Sequence, residues 1–357
     1  MDFEERYGRL DRILHRIAFR AGRAQHAIAD VEKILFRDDL APVRVETPVF
    51  ITALPRSGTT ILLRLLWRTG AFASHTYRSM PFVMCPMLWN RFSSRFEDDD
   101  VERERAHDDG LMVSGKSPEA FEEVIWKYFW PDHYASDRIS PWAPDETNPD
   151  FDAFFRSHMR KMIALHTNGD EKQRRYLSKN NLNIARLASL PAPMQKGTLL
   201  IPFRDPVQQA ASMLRQHRRF LTIHDNDAFV QEYMEAIGHH EFGEGLRPIN
   251  FDDWLPESRD PMTLPFWLQY WTAAYRYILK HTGPSIALVA YETLVGAPEP
   301  SLQHLANLVK VTPSRLTTQA DTLSSPDPHS VDTNEIPPDV LDKAYAVHQQ
   351  LLNEASV

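Results

Sequence analysis

The amino-acid sequence predicts an α/β fold in three layers, with a central, mostly parallel sheet between layers of helices. Two segments support this prediction, because each passes from a short apolar strand through a polar turn into a helix. One starts at Val49 and the other at Leu199. In open α/β sheets ligands bind outside the carboxyl ends of the strands, so both turns are expected at one functional edge.

The first segment carries the signals of a strand followed closely by a helix. Val49 to Leu54 is an apolar run after a proline, and the helix is expected to begin near Thr59 and to end at Gly70, a left-handed cap. Gly58 lies in the turn and lets the backbone approach an oxyanion. The first N–H groups of a helix and its partial positive charge favour the same ligand. The turn therefore predicts an anion site, and the alternative is a plain strand-to-helix turn.

The turn is also rich in side chains that bind anions, one cation and three hydroxyls: Arg56, Ser57, Thr59 and Thr60. The general nucleotide motif GxxxxGK[ST] requires two glycines and a lysine. In an alignment with that motif, Ala53 replaces the first glycine and Thr59 replaces the lysine. An ATPase or kinase would therefore lack its main charge here, whereas a phosphate with less charge on its outer group suits the hydroxyls.

The second segment predicts a buried strand at Leu199 to Phe203 and a helix that starts at Asp205 and Pro206. Arg204 thus leaves the carboxyl end of a strand. Ser212 follows eight residues later, a little over two helical turns, so its hydroxyl returns to the side of the helix start. The two side chains are expected to share one phosphate. Taken alone, the Arg-Asp-Pro sequence is also typical of a simple helix cap.

In their order, these two segments resemble the sulfotransferase family, whose members use 3'-phosphoadenosine 5'-phosphosulfate as the sulfuryl donor. The resemblance implies a P-loop NTPase-like fold, a loop at residues 54–60 for the 5'-phosphosulfate, and a clasp of Arg204 and Ser212 for the 3'-phosphate. The tract at residues 176–187 is similar to a third family segment, in which a lysine, here Lys179, approaches the transferred group.

The resemblance covers residues 48–70, 175–219 and 284–310. In the last of these stretches, an expected strand at Ser285 to Ala290 is followed by Tyr291, as in the late strand and turn of bacterial and tyrosylprotein-type members. The first 40 residues and the stretches between the motifs match no family segment.

The implied chemistry is sulfuryl transfer to a hydroxyl by in-line displacement, with no metal ion. Charge builds on the equatorial oxygens and on the bridging oxygen of the leaving phosphate. By analogy with phosphoryl transfer, fixed cations and backbone N–H groups stabilise that charge. Lys179 and Arg56 are the expected cations, with a solvent-exposed lysine before a helix as the alternative for Lys179.

The catalytic base has two candidates. In related families the base often lies some twenty residues after the loop arginine, and His75 is the residue there whose pKa is near neutrality. The second candidate is Glu123, in a helix expected from Pro118 to about Trp130. Its alternative role is a modest surface pair with Lys127, four residues further along the helix.

Composition narrows the class of protein. The net charge of −8 is unfavourable for binding nucleic acid. No run approaches the roughly 20 apolar residues of a membrane span, and the first ten residues have no signal-peptide core. The single cysteine, Cys85, excludes an intrachain disulfide and agrees with a reducing compartment. We therefore expect a cytoplasmic protein.

Two units are expected along the chain of 357 residues. Residues 1–40 form an amphipathic helical extension, and residues 41–357 form the α/β domain, with helical and aromatic insertions at about 80–170 and 220–280. The aromatic residues favour a small apolar or aromatic acceptor over a sugar polymer. The acidic stretch at residues 97–109 is either a solvated surface or a lid.

In the extension, apolar residues recur at helical spacing beside a series of arginines from Arg6 to Arg23. The simplest expectation is that the apolar face packs on the domain and the arginines face solvent. A contact between copies of the chain and attachment to an anionic membrane surface are the alternatives.

Two rival functions belong to other classes. A nucleotide-dependent kinase shares the fold but requires a loop lysine and magnesium ligands. A non-catalytic protein that binds 3',5'-bisphosphoadenosine would keep Arg56, Arg204 and Ser212, yet would need neither Lys179 nor a base.

Overall fold

The computed structural model describes residues 8–93, 103–104, 112–167, 172–323 and 329–357, and its centre is a five-stranded sheet. The strands of the described residues, in chain order, are β1 (Val49–Ile51), β2 (Phe72–Ala73), β3 (Arg103–Glu104), β4 (Met112–Val113), β5 (Arg175–Lys179), β6 (Thr198–Phe203) and β7 (Ile286–Ala290). β3 and β4 form a separate antiparallel pair. The central sheet has the order β2-β5-β1-β6-β7 with every pairing parallel, which confirms the predicted parallel α/β fold.

The carboxyl ends of four parallel strands lie at the same edge of the central sheet. β1 lies between β5 and β6, with Ile51 level with Lys179 on one side and with Leu200 on the other. On the far side of β6, Phe203 pairs with Ala290 of β7. Because all these strands run in one direction, the segments that follow them emerge side by side, as expected for a ligand edge.

Helices cover both faces of this sheet. The α-helices of the described residues, in chain order, are α1 (Arg9–Arg20), α2 (Gly22–Leu35), α3 (Arg37–Leu40), α4 (Thr59–Arg68), α5 (Pro86–Ser93), α6 (Glu123–Phe129), α7 (Pro149–His166), α8 (Pro206–Asn226), α9 (Ala228–Ile237), α10 (Leu264–Lys280), α11 (Tyr291–Gly296), α12 (Pro298–Leu308), α13 (Ser314–Thr317) and α14 (Pro338–Glu354). None of them is both long and apolar enough to cross a membrane.

Strand alternation divides the core into two layers. Val49 and Ile51 face a cluster that includes side chains of α4 and α12. Phe50, between them in sequence, faces the opposite cluster, to which α7 and α10 contribute most of their aromatic residues. Successive side chains of a strand point to opposite faces, so the three adjacent apolar residues of β1 pack against both layers of helices.

Local capping signals place the two predicted helices that follow strands. α4 begins at Thr59, and Gly70 beyond its end has φ +69°. At the start of α8, the Asp205 carboxylate accepts a hydrogen bond from the Gln208 N–H at 2.9 Å. Such an N-cap satisfies one N–H that has no partner within the helix. Both helices therefore start where their sequence signals predict.

The segment before α6 differs from its prediction. The helix expected from Pro118 begins at Glu123 instead. Residues 117–119 pair with an earlier segment of the chain: Tyr77 N–H donates to the Ser117 carbonyl, and Glu119 N–H donates to the His75 carbonyl at 3.0 Å. These long-range backbone bonds hold Pro118 and Glu119 in an extended conformation, so the helix starts one turn later.

The N-terminal helix pair packs in the opposite sense to the prediction. The buried positions of α1 and α2 are polar or small residues: His15, Ala18, Gln25, Ala29 and Glu32. Arg12 forms an ion pair with Asp227 at 2.7 Å, and Arg16 forms one with Glu232 at 2.6 Å. The expectation of a buried apolar face and solvent-facing arginines is therefore wrong for these residues. Arg6 lies outside the described residues.

A buried ion pair joins this helix pair to α7. Glu32 lies 2.8 Å from the Lys161 ammonium, and both side chains are at most 1% exposed. Lys161 also donates to the Ala29 carbonyl, and the Leu88 N–H donates to Glu32 at 2.7 Å. The charges are thus compensated inside the protein. Most of the acidic stretch at residues 97–109 lies outside the described residues.

Candidate donor and transfer site

The turn after β1 is tight and has two residues with a positive φ angle. Gly58 has φ +103°, and a Cβ atom there would lie 2.8 Å from the Tyr291 ring. Arg56 also has a positive φ, +68°, a conformation that costs a side-chain-bearing residue free energy and recurs at functional sites. Thr59 and Thr60 are the first two residues of α4, so the N–H groups of its first turn lie at the end of this loop.

One buried hydroxyl of the loop has little hydrogen bonding within the protein. Ser57 is fully buried, and its Oγ interacts weakly with the Tyr275 hydroxyl and makes no other hydrogen bond to a described residue. Buried polar atoms are nearly always hydrogen-bonded. A buried hydroxyl with this spare hydrogen-bonding capacity beside a helix N-terminus fits a phosphate or sulfate oxygen bound in this loop.

The Gln209 side chain of α8 forms a hydrogen bond with the backbone of this loop. Its amide Nε2 donates to the carbonyl of Pro55 at 3.0 Å, while its Oε1 accepts from Trp271 Nε1 at 2.9 Å. The Tyr275 hydroxyl lies 3.4 Å from the same oxygen. The side chain is fully buried. The sequence motifs did not identify Gln209, although its place one turn after the Asp-Pro helix start puts it beneath the loop.

Gly58→Ala is expected to destabilise the protein by about 1 to 3 kcal/mol, because the left-handed backbone and the contact with Tyr291 both oppose a methyl group. Gly70→Ala is the matched control: its φ is also positive, but no atom lies within 4 Å of a Cβ there. Urea denaturation of both variants measures the difference. Equal losses of stability would contradict a steric role for the Tyr291 contact.

The loop arginine and the second predicted segment meet at Ser212. Arg56 Nε donates to Ser212 Oγ at 3.0 Å, and Ser212 is buried. Arg204 approaches the same loop, because its Nη1 lies 3.4 Å from the Arg56 carbonyl oxygen. The structure thus places these three predicted residues together, with the Arg56 side chain rather than that of Arg204 on the serine hydroxyl.

Arg204 retains an unused hydrogen-bond donor. Its Nε is buried and makes no hydrogen bond to any described residue, and the Glu292 carboxylate is 3.9 Å away. The guanidinium lies over the Tyr291 ring, 4.8 Å from its centroid. Glu292 is itself held by the Asp205 N–H at 3.0 Å. Arg204 is therefore fixed in position at the sheet edge with donor capacity for an anion.

Lys179 ends β5 beside a carboxylate that the sequence analysis did not select. Its Nζ lies 3.8 Å from Glu119 Oε1, and both side chains are less than 10% exposed. The Tyr77 hydroxyl donates to Glu119 Oε2 at 2.7 Å, and the Ala120 N–H donates to Oε1 at 2.8 Å. An ammonium group and an oriented carboxylate thus lie together near the loop edge of the sheet.

His75 faces a second histidine in the protein interior. Its Nε2 lies 2.9 Å from the Nε2 of His158, and the two rings stack. Burial lowers the pKa of the His75 imidazole to about 3. Because a group with so low a pKa binds a proton weakly at neutral pH, this environment makes His75 a poor general base.

Glu123 is enclosed by hydrogen-bond donors. Arg186 donates to its Oε1 at 2.6 Å, Asn180 donates to its Oε2 at 2.7 Å, and the Tyr134 hydroxyl also contacts Oε1. The expected surface pair with Lys127 is wrong, because Glu123 is buried. Since Asn180 follows Lys179 in the chain, this network supports the end of β5.

The architecture and this edge define the class of protein: an α/β protein with a tight strand-to-helix loop and a lysine-carboxylate pair at the same edge of its parallel sheet. Within the described ranges, no group of three or more His, Cys, Asp or Glu residues could hold a metal ion. A family model described as the sulfotransferase family matches residues 48–243. The chain belongs to this family.

Comparison with solved structures gives distant similarities. Sulfotransferase STF9 from Mycobacterium avium is 14% identical, with 89% of this chain and 80% of that chain covered and a TM-score of 0.48. Sulfotransferase STF1 from Mycobacterium tuberculosis H37Rv is also 14% identical, with 93% and 85% covered and a TM-score of 0.48. Retinol dehydratase in a complex with retinol and PAP is 10% identical, with 90% and 87% covered and a TM-score of 0.33. No curated protein matches the chain.

Proposed function

We propose that this protein transfers a sulfuryl group from 3'-phosphoadenosine 5'-phosphosulfate to a hydroxyl of a small, apolar or aromatic acceptor. The observation that carries the proposal is the pairing of Lys179 with Glu119 beside the anion loop. Membership of the sulfotransferase family supports the reaction class. A protein that only binds the bisphosphate would need neither of these two residues.

The donor has a matching set of groups in this chain. The loop at residues 56–60 would hold the 5'-phosphosulfate through the Ser57 hydroxyl and the N–H groups at the start of α4. Arg204 and Ser212 would hold the 3'-phosphate, with Arg56 between the two subsites. The spare hydrogen-bonding capacity of Ser57 Oγ and Arg204 Nε supports this assignment, because a phosphate oxygen would complete the hydrogen bonding of each.

Transfer by this route needs one proton acceptor and one fixed cation. As the new bond forms between sulfur and the acceptor oxygen, the bond from sulfur to the 5'-phosphate oxygen breaks, and the acceptor proton passes to the Glu119 carboxylate. Lys179 stabilises the charge that builds on the transferred group and the leaving oxygen. Glu119 thus takes the role for which the sequence suggested His75 or Glu123, since those two side chains are enclosed in the interior.

Donor recognition is tested by calorimetry with 3',5'-bisphosphoadenosine, ATP and 5'-AMP in the absence of magnesium. We expect the wild type to bind the bisphosphate most tightly and Arg204→Ala to lose about 10- to 100-fold in affinity, as charged hydrogen bonds contribute roughly 1.5 to 3 kcal/mol. Arg218→Ala is the control, because this arginine lies in α8, the helix that follows Arg204, and donates to the Met262 carbonyl instead. A preference for ATP that appears only with magnesium would favour the kinase alternative.

A further inference from the structure

The N-terminal helix pair presents its aliphatic side chains to solvent. Seven of them are between 37% and 83% exposed and define what we call the aliphatic face: Leu10, Ile13, Ile17, Ile28, Val31, Ile34 and Leu35. In each helix they recur at intervals of three or four residues, so they share one side. The exposed Ala24 and Ala27 lie between the two groups in sequence.

This face cannot turn inward in the folded chain. The opposite side of the helix pair is already fixed to the domain by the ion pairs of Arg12 with Asp227 and of Arg16 with Glu232. The buried pair of Glu32 with Lys161 holds α2 in the same orientation. The aliphatic face is therefore a preformed surface with its side chains held outward.

The size of the face suits a protein interface. The seven exposed fractions correspond to apolar surface on the order of 800 Å², about what one partner buries in a standard-size interface. Monomeric proteins rarely expose apolar patches larger than a few hundred Å². Such a surface in water favours a covered state.

We propose that a second copy of this chain covers the aliphatic face, with α1 of one copy against α2 of the other about a two-fold axis near Ala21. This proposal is independent of the sulfuryl-transfer activity. Two-fold pairing buries the same patch of both copies, which is the commonest arrangement of soluble oligomers.

The charges around the face favour this occupant over a membrane. The first half carries exposed Arg9, Arg20 and Arg23 and one exposed aspartate, Asp11. The second half and its extension into α3 carry Asp30, which pairs with Lys33, Asp38, which lies near Arg37, and Asp39. Antiparallel pairing brings the arginine-rich half of one copy to the aspartates of the other. An anionic bilayer would repel those aspartates, and the face has none of the Trp or Phe side chains that anchor interfacial helices.

Sedimentation equilibrium of the full chain at micromolar concentration tests the assembly. We expect twice the chain mass for the wild type and a two-fold lower mass for the double variant Ile17→Gln with Ile34→Gln. Leu352→Gln, a similarly exposed position on α14, is the matched control and should keep the doubled mass. Far-UV circular dichroism and the thermal unfolding midpoint, compared between the wild type and each variant, verify that the variants remain folded.

Cross-linking tests the arrangement. Single variants Ile13→Cys and Val31→Cys are oxidised separately and as a mixture, and the mixture is expected to give the main cross-linked dimer. Cys85 does not compete, because it is buried and its pKa is raised to about 12 by burial. Efficient cross-linking of each variant with itself but not in the mixture would overturn the antiparallel arrangement.

A monomeric wild type would overturn the proposal as a whole. So would a wild type that is monomeric in solution yet pellets with vesicles of phosphatidylserine and phosphatidylcholine, since the face would then serve a membrane surface. An unchanged mass for the double variant would show that another surface joins the copies.

Discussion

Lys179→Met is expected to lower kcat by about 100- to 1000-fold, the usual cost of removing one group that stabilises charge in the transition state. The affinity for 3',5'-bisphosphoadenosine should change little, because that product lacks the sulfuryl group. Methionine keeps the apolar stem of the side chain in its buried place at the end of β5. Steady-state kinetics with an accepted hydroxyl substrate, together with calorimetry, separates the two quantities.

The control for this variant is Lys172→Ala. Lys172 is exposed and precedes the same strand, so its loss should leave kcat within two- to three-fold of the wild type, in line with the small effects of most surface substitutions. If Lys179→Met weakened bisphosphate binding as much as turnover, the lysine would be a binding residue and its proposed role in transfer would be wrong.

Glu119→Gln is expected to lower kcat by about 100- to 10,000-fold, the range that a positioned general base contributes. Glutamine has the shape of glutamate, and its side-chain oxygen still accepts the hydrogen bond of Tyr77. The activity of the wild type should fall at low pH, where the carboxylate is protonated. The activity of the variant should not show this fall at low pH, called the acidic limb of the profile. The pH dependence of kcat/KM measures both effects.

Two comparison variants assign the base unambiguously. Glu123→Gln should act mainly on stability, because it removes the charge that compensates buried Arg186, and breaking a buried pair costs about 3 to 5 kcal/mol. His75→Gln should leave the acidic limb in place. If His75→Gln flattened the profile while Glu119→Gln did not, the base would be His75.

Local sequence signals predicted much of the loop after β1. Gly58, Gly70 and the pair Asp205 and Pro206 each encode a backbone conformation within a few residues, and the helices beside them begin or end as expected. The order of the two segments was enough to place both at one edge of a parallel sheet. The fold class followed from these short-range signals, and the family followed from the resemblance of the two motifs to sulfotransferase segments.

Glu119 depends on long-range contacts and was therefore missed. A serine and a proline before an apolar run predicted a helix from Pro118, in which Glu119 would occupy the first turn. The backbone bond from Glu119 to His75 overrides that preference and brings the carboxylate to Lys179 instead. Periodicity likewise showed which residues of α1 and α2 share a face, but the direction of that face depends on Asp227, Glu232 and Lys161, which are distant in sequence.

The buried pair of Glu32 with Lys161 has a consequence for where the chain can be shortened. Removal of residues 1–40 would take both Glu32 and the Ala29 carbonyl from the Lys161 ammonium and would uncover the side of α7 on which they pack. Lys161 lies one helical turn after His158, the partner of His75, and the His75 carbonyl accepts the Glu119 N–H, so the disturbance would begin near the segment that carries the proposed base. The helix pair thus shares buried contacts with the α/β domain, and truncation at residue 40 is expected to destabilise the rest of the chain.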